Sequence, residues 1–192
     1  MKKFTIEKTQ FDDVILITPR VFADDRGYFC ETYNVKNLRE LGFKEVMLQD
    51  NQSKSHKNVI RGLHYQWNNP MGKLVRVLHG AVRDVIVDVR KYSPTYGQSD
   101  SFLLSAENNK QLWVPPGFAH GILSLEDDTL VSYKCSSVYN PNGESGINPF
   151  DKYLNIDWGI SESEAIISEK DKIAQSFLDY DRNPKFFMTE VA

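Results

Sequence analysis

From Val14 to about Val138 the chain alternates apolar and polar residues in short segments separated by glycine, proline, asparagine and serine, and this period of two restricts its fold more than any other feature. A two-residue repeat places successive side chains on opposite faces of a strand and leaves no continuous stripe for a helix to bury. It predicts strands over Val14–Thr18, Gly27–Tyr33, Glu45–Asn51, Val59–Gln66, Lys73–His79, Ala81–Val89, Ser101–Leu104, Gln111–Val114, Gly121–Leu125 and Thr129–Val138. Many short strands at this spacing favour an all-β body, a sandwich or jelly roll in which two sheets curl together and few edges stay open.

Two helical interruptions are expected. Asn34 can cap a short helix over Val35–Leu41 that ends at Gly42, and Ser168 can cap a C-terminal segment that puts Ile173, Phe177 and Tyr180 on one stripe. A length of 192 residues with 41% hydrophobic and 26% charged residues fits a single domain over residues 1–192 with one core. No apolar run is long enough to span a bilayer, and no apolar stretch follows the basic start, so the expectation is a cytosolic protein. The two cysteines, Cys30 and Cys135, lack the spacing of a zinc site or redox pair and read as free thiols. A net charge of -3 offers no basic surface for nucleic acid, so an anionic ligand would need a few placed cations.

The chemistry-bearing residues sit on the predicted strands. In "RGLHYQ", period two sets Gly62, His64 and Gln66 on one face and Arg61, Leu63 and Tyr65 on the other. His64 reads either as a satisfied interior histidine or as a group with room beside it. In "GKLVRVLHG", Lys73 shares a face with Val75 and Val77, so its ammonium lies at a wet strand end or points into a barrel, where a charge needs a partner. "AVRDVIVDVR" sets Val85, Val87 and Val89 on an apolar face and Asp84 and Asp88 on the other. "LWVPPGFAHGI" turns at Pro115–Gly117 into a strand bearing His120, the P-x-G-x-x-H half-motif of cupin jelly rolls. Cupin metal sites begin with H-x-H. Here the matching place is His64-Tyr65-Gln66, which lacks the second ligand, and the expectation is no metal.

Taken together, "DDRGYFCETYN", "QDNQSKSHKNVIRGLHYQ", "GKLVRVLHGAVRDVIVDVRKYSPTYG", "LSAENNKQLWVPPGFAHGI" and "YKCSSVYNP" resemble the dTDP-4-dehydrorhamnose 3,5-epimerase family in order and spacing. The resemblance implies a cupin-type jelly roll, a homodimer, and metal-free epimerisation with no cofactor beside the ketone of a nucleotide-linked 4-keto-6-deoxyhexose in dTDP-L-rhamnose biosynthesis. It implies His64 as base, with Asp171 of "SEKD" as its orienting carboxylate; without the resemblance, Asp171 reads as closing a capping box with Ser168. It implies Lys73 as stabiliser of the enolate oxygen and Tyr133 as the acid on the opposite face, where simple packing is the rival account of the tyrosine.

By position it also assigns substrate contacts to Arg26, Glu31, Gln49, Asp50, Asn51, Arg61, His120 and Glu144, with Phe29 and Tyr139 as thymine-stacking aromatics. Since Arg61 alternates away from His64, it would act through a local bulge near Gly62 or across a dimer interface. His120 paired with Asp84 is a further expectation. "GINPFDKYLNIDWGISESE" and the tail after Asp179 depart from the family pattern, which touches sugar and nucleotide preference. The rival readings are an epimerase acting at one carbon only, a non-catalytic nucleotide-sugar-binding cupin, and a metal-dependent cupin oxygenase.

Overall fold

The computed structural model describes residues 3–188, so the outermost residues of the expected 1–192 domain lie outside the described part. In chain order the elements are β1 (Phe4–Lys8), β2 (Ile15–Pro19), β3 (Val21–Asp24), β4 (Gly27–Cys30), α1 (Val35–Glu40), β5 (Gln49–Ser55), β6 (Val59–Gln66), β7 (Lys73–His79), β8 (Ala81–Asp88) and β9 (Arg90–Lys91). They continue with β10 (Ser99–Ser105), β11 (Gln111–Val114), β12 (Phe118–Ser124), β13 (Thr129–Cys135), β14 (Glu144–Gly146), β15 (Ile166–Ile167), α2 (Glu169–Lys172), α3 (Phe177–Arg182) and β16 (Phe186–Phe187). Two antiparallel sheets carry the fold, one ordered β1-β2-β11-β7-β13-β5 and the other β10-β8-β12-β6-β14, with β15 added in parallel to β6. None of the described helices is long and apolar enough to cross a membrane.

Both sheets are covered on both faces. Between them, Val75, Val77, Leu112, Val114 and Val131 of the first sheet meet Val82, Ile86, Leu104, Phe118 and Ile122 of the second. Behind the second sheet, Ile60, Leu63, Tyr65, Val85, Val87 and Val89 pack against Trp158, Phe177 and Tyr180 of the C-terminal part. On the outer face of the first sheet, Ile17, Leu74 and Trp113 pack against Leu38 and Phe43, from α1 and the turn after it. The valine face of β8 is thus core, as its pattern predicts, but the carboxylate face is buried too. Asp88 is sealed by bonds from Arg90, Ser93 and Thr95, and Asp84 by one from His120.

Several predicted boundaries move. The strand expected at Gly27–Tyr33 is shorter and forms an exposed hairpin with β3, which the pattern missed along with β1. The strand expected from Glu45 begins at Gln49 and runs on to Ser55, and β12 starts at Phe118 rather than Gly121. The first helix is capped by Asn34 as expected. The C-terminal segment is two short helices rather than one: Ser176 accepts the Asp179 N–H and restarts the helix. Ile173 falls in the break and is 82% exposed, whereas Phe177 and Tyr180 are buried. Cys30 and Cys135 are free thiols.

Candidate active site

A cavity of about 560 Å³ opens between the sheets, within the size range of small-molecule sites. Strands β6 and β12 supply Arg61, His64 and His120 from one side, β7 and β13 supply Lys73 and Tyr133 from the other, and the β15–α2 segment flanks the mouth. Arg61 and His64 reach it together because β6 is bulged. Against β12, His64 pairs with His120 and Arg61 with Ile122, so three steps on β6 oppose two on its neighbour. Gly62 makes this possible: its φ is +131°, and a Cβ there would lie 2.5 Å from the Gly121 Cα. Strict alternation, which sends Arg61 to the opposite face from His64, therefore fails here. Ile60 and Leu63 both turn to the core behind the sheet, and Arg61 turns with His64 into the cavity.

His64 Nε2 lies 2.6 Å from Asp171 Oδ1, while the Gly62 N–H reaches the other carboxylate oxygen at 3.4 Å. An ionised carboxylate only accepts, so the imidazole proton belongs on Nε2 and the lone pair is left on Nδ1. Burial works against a charged Asp171, yet His64, the Gly62 amide and Ser168 together hold its pKa below the usual carboxylate value. The backbone of Asp171 takes the helix cap, its N–H donating to Ser168 Oγ at 3.1 Å. The expected capping box is half formed, since the carboxylate is bonded to His64.

Across the cavity, the Lys73 ammonium has no ion pair and no side-chain hydrogen bond among the described residues. Burial pushes its pKa down, opposed by the charges of Cys135, Glu144 and Asp84. Tyr133, opposite Val75 on the same sheet, packs against the inter-sheet core. Burial pushes its hydroxyl pKa up, as do Cys135 and Glu144, against Asn51 and Arg61.

At the mouth, Glu144 accepts from Lys170 Nζ at 2.6 Å and from the Tyr139 hydroxyl at 3.1 Å. Burial raises the Glu144 pKa, but the Lys170 cation, His64 and Tyr139 leave it below its ordinary value. Arg61 is held by Ser55 Oγ at 3.0 Å and by the Lys54 carbonyl. Gln49 and Asn51 bond each other on the inward face of β5, and His120 Nε2 bonds Asp84 Oδ1 at 2.9 Å. Gln66 is spent on structure, its amide donating to Asn69 and Val138 carbonyls.

Seven expected contacts, Arg26, Phe29, Glu31, Gln49, Asp50, Asn51 and Tyr139, are outside the cavity lining; Gln49, Asn51 and Tyr139 stand near its edge and the other four stand elsewhere. Asp50 points outward and pairs with Lys134. Arg26 pairs with Asp24 at the tip of the exposed hairpin, Phe29 on that hairpin is 67% exposed, and Glu31 accepts from Asn37. Lys170 and Ser53 line the cavity although the pattern singled out neither; adjacency to Asp171 was the one available signal for Lys170.

A family model described as dTDP-4-dehydrorhamnose 3,5-epimerase matches residues 8–179. The chain belongs to that family. It is 47% identical over 176 residues to the dTDP-4-dehydrorhamnose 3,5-epimerase of Shigella flexneri, covering 91% of this chain and 96% of the relative. A Legionella pneumophila dTDP-6-deoxy-D-glucose-3,5-epimerase, solved in complex with dTDP-4-keto-L-rhamnose, superposes with a TM-score of 0.92 at 41% identity, over 98% of this chain and all of that one. A 3'-monoepimerase from Streptomyces bikiniensis, solved with dTDP-quinovose, superposes at 0.87 with 31% identity, over 94% and 91% of the two chains. The stretch from Gly146 to Glu164, expected to bear on sugar and nucleotide preference, contributes no residue to the cavity lining; Leu154 and Trp158 pack it behind the second sheet.

Proposed function

We propose that the chain epimerises C3 and C5 of dTDP-4-dehydro-6-deoxy-D-glucose, giving dTDP-4-dehydro-L-rhamnose for dTDP-L-rhamnose biosynthesis. One observation carries the reading: His64 with its carboxylate stands on one sheet, and Lys73 and Tyr133 stand on the other, around a single cavity. Both carbons flank the C4 carbonyl, so removal of either proton forms an enolate at the same oxygen. His64 Nδ1 takes the proton from one ring face, and Asp171 stabilises the imidazolium that results. The Lys73 ammonium faces the enolate oxygen; a positioned donor of this kind is worth about 3 to 4 kcal/mol in other enzymes. Burial keeps the Tyr133 hydroxyl protonated, which suits it to return a proton from the opposite sheet. Solvent then reprotonates the phenolate and takes the proton from His64, and the cycle repeats at the second carbon.

Arg61, His120, Glu144 and Lys170 of the cavity lining hold the nucleotide diphosphate and sugar, joined by Gln49 and Asn51 from β5 and by Tyr139 against the thymine, three residues outside that lining. Arg26, Phe29 and Glu31 act from the partner in a homodimer, a reading supported by the hairpin that exposes Val21, Phe22, Tyr28 and Phe29 together. The test is solvent exchange in heavy water with the keto-sugar nucleotide. The expected outcome is deuterium at both C3 and C5. Label at one carbon points to a mono-epimerase, and dTDP binding without label points to a non-catalytic module.

A further inference from the structure

We infer that Gln175 is a positioning residue that holds Asp171 in register with His64. The inference rests on the His64–Asp171 reading above. The two partners belong to different parts of the chain: His64 sits in β6, whereas Asp171 sits in a four-residue helix beside β6 at the cavity mouth. So short a helix does not stabilise itself, and something must fix its distance from β6.

The β15–β6 pairing fixes the chain ahead of the helix, and Gln175, four residues after Asp171, provides the tie behind it. Its Nε2 donates to the Tyr65 hydroxyl at 2.9 Å and to the Gly146 carbonyl at 3.3 Å, with Ser145 Oγ at 3.4 Å. Tyr65 is the next residue after His64, and Gly146 is the residue paired with His64 across the β6–β14 ladder. A Cβ on Gly146 would lie 3.4 Å from His64 Cδ2, which shows how near the imidazole this contact comes. The main chain adds to the link, since Gln175 bridges in parallel to Ile147 and its carbonyl accepts from Asn148. Ile147 in turn exchanges two hydrogen bonds with Leu63, the residue before His64. One amide side chain therefore grips β6 and β14 on either side of the histidine, while its backbone leads directly into the segment that carries the aspartate.

The Tyr65 hydroxyl reports the same tie from the other end. Burial raises its pKa, and the contacts from Ser145 and Gln175 oppose that rise. Nothing in the proposed chemistry uses Gln175, which lines no part of the cavity.

The experiment is a double-mutant cycle on kcat for solvent exchange, with Gln175→Ala, Asp171→Asn and the pair, alongside proton NMR of the His64 Nε2–H. Gln175→Ala is expected to lower kcat about 10- to 100-fold, the scale of a small misplacement at a reacting centre, with KM changed less than about threefold. In the Asp171→Asn background the same change should alter kcat less than about twofold, because the geometry it protects no longer matters. The downfield Nε2–H signal should weaken or vanish in Gln175→Ala. Tyr65→Phe, which removes one acceptor and keeps the ring, should give a smaller loss of the same kind, and covers the case in which Gln175→Ala folds poorly. Full kcat in Gln175→Ala, or a loss that persists undiminished in the Asp171→Asn background, overturns the inference. A near-normal rate in Asp171→Asn alone overturns the dyad reading instead.

Discussion

His64 and His120 face one another on neighbouring strands, each with an aspartate at Nε2, yet the two pairs are built differently. Asp171 arrives from a helix far along the chain, gains a second donor from the Gly62 amide, and leaves the His64 side chain 26% exposed. Asp84 comes from the adjacent strand β8, is wholly buried, and leaves its Oδ2 without a hydrogen-bond partner among the described residues. A base that turns over must touch both substrate and solvent, and the first pair meets that need. A group that only holds a ligand gains from rigidity and dry surroundings, and the second pair meets that one. On the proposed function, identical chemical partners thus take separate tasks according to burial and to the element that delivers the carboxylate.

The largest expected effect separates the histidines themselves. His64→Ala should lower exchange by about 10² to 10⁴ while dTDP affinity is retained, whereas His120→Ala should act mainly through KM. Equal losses of kcat in both variants, read by deuterium incorporation, would erase the distinction. Next come the carboxylates. Asp171→Asn should cost about a hundredfold or more in kcat, since the imidazole loses its tautomer and its counter-charge. Asp84→Asn should raise KM several-fold, about 1 kcal/mol of binding, with kcat nearly unchanged; steady-state kinetics showing neither parameter altered would remove Asp84 from the site.

The smallest effect is on stability. The folded pKa of Asp171 is depressed, so its favourable contribution is fully present above the pKa of an unfolded aspartate and is lost as pH falls through the lower folded value. The gap in Tm between the native protein and Asp171→Asn should be widest near neutrality and close in acid. A gap that stays constant across pH would mean that the ionised Asp171 carboxylate adds nothing to the fold.

Both histidines, and most of the strands that carry the site, are legible in the amino-acid sequence. Period two locates β6, β7, β8 and β13, and the P-x-G-x-x-H motif locates His120. β1 and β3 escape it, although Gly27–Tyr33 anticipates β4; β3 is only four residues long and exposed throughout, so no buried face imposes a pattern on it. The C-terminal stripe misleads at Ile173 because helical spacing persists in sequence across a second cap that ends it in space. Asp50, Arg26, Phe29 and Glu31 stand apart from the cavity, and Gln49, Asn51 and Tyr139 fall outside its lining, although the family motif names all seven. A motif carries residue type and order; it does not state which chain or which sheet face supplies the contact.

The sequence by itself determined the all-β class, the free thiols, and the cast of ionisable residues, because local periodicity and side-chain chemistry are properties of short segments. Local pattern left open who meets whom; the family resemblance anticipated the His64–Asp171 pair, the residues themselves suggested His120–Asp84 and a bulge near Gly62, and the tertiary structure makes all three. The bulge at Gly62 turned Arg61 toward His64, burial on both sheet faces drew Asp84 and Asp88 inside, and the fold carried Asp171 across 107 residues to the imidazole. These outcomes depend on contacts between distant segments, and the energy of such contacts is fixed by packing that no window of neighbouring residues contains.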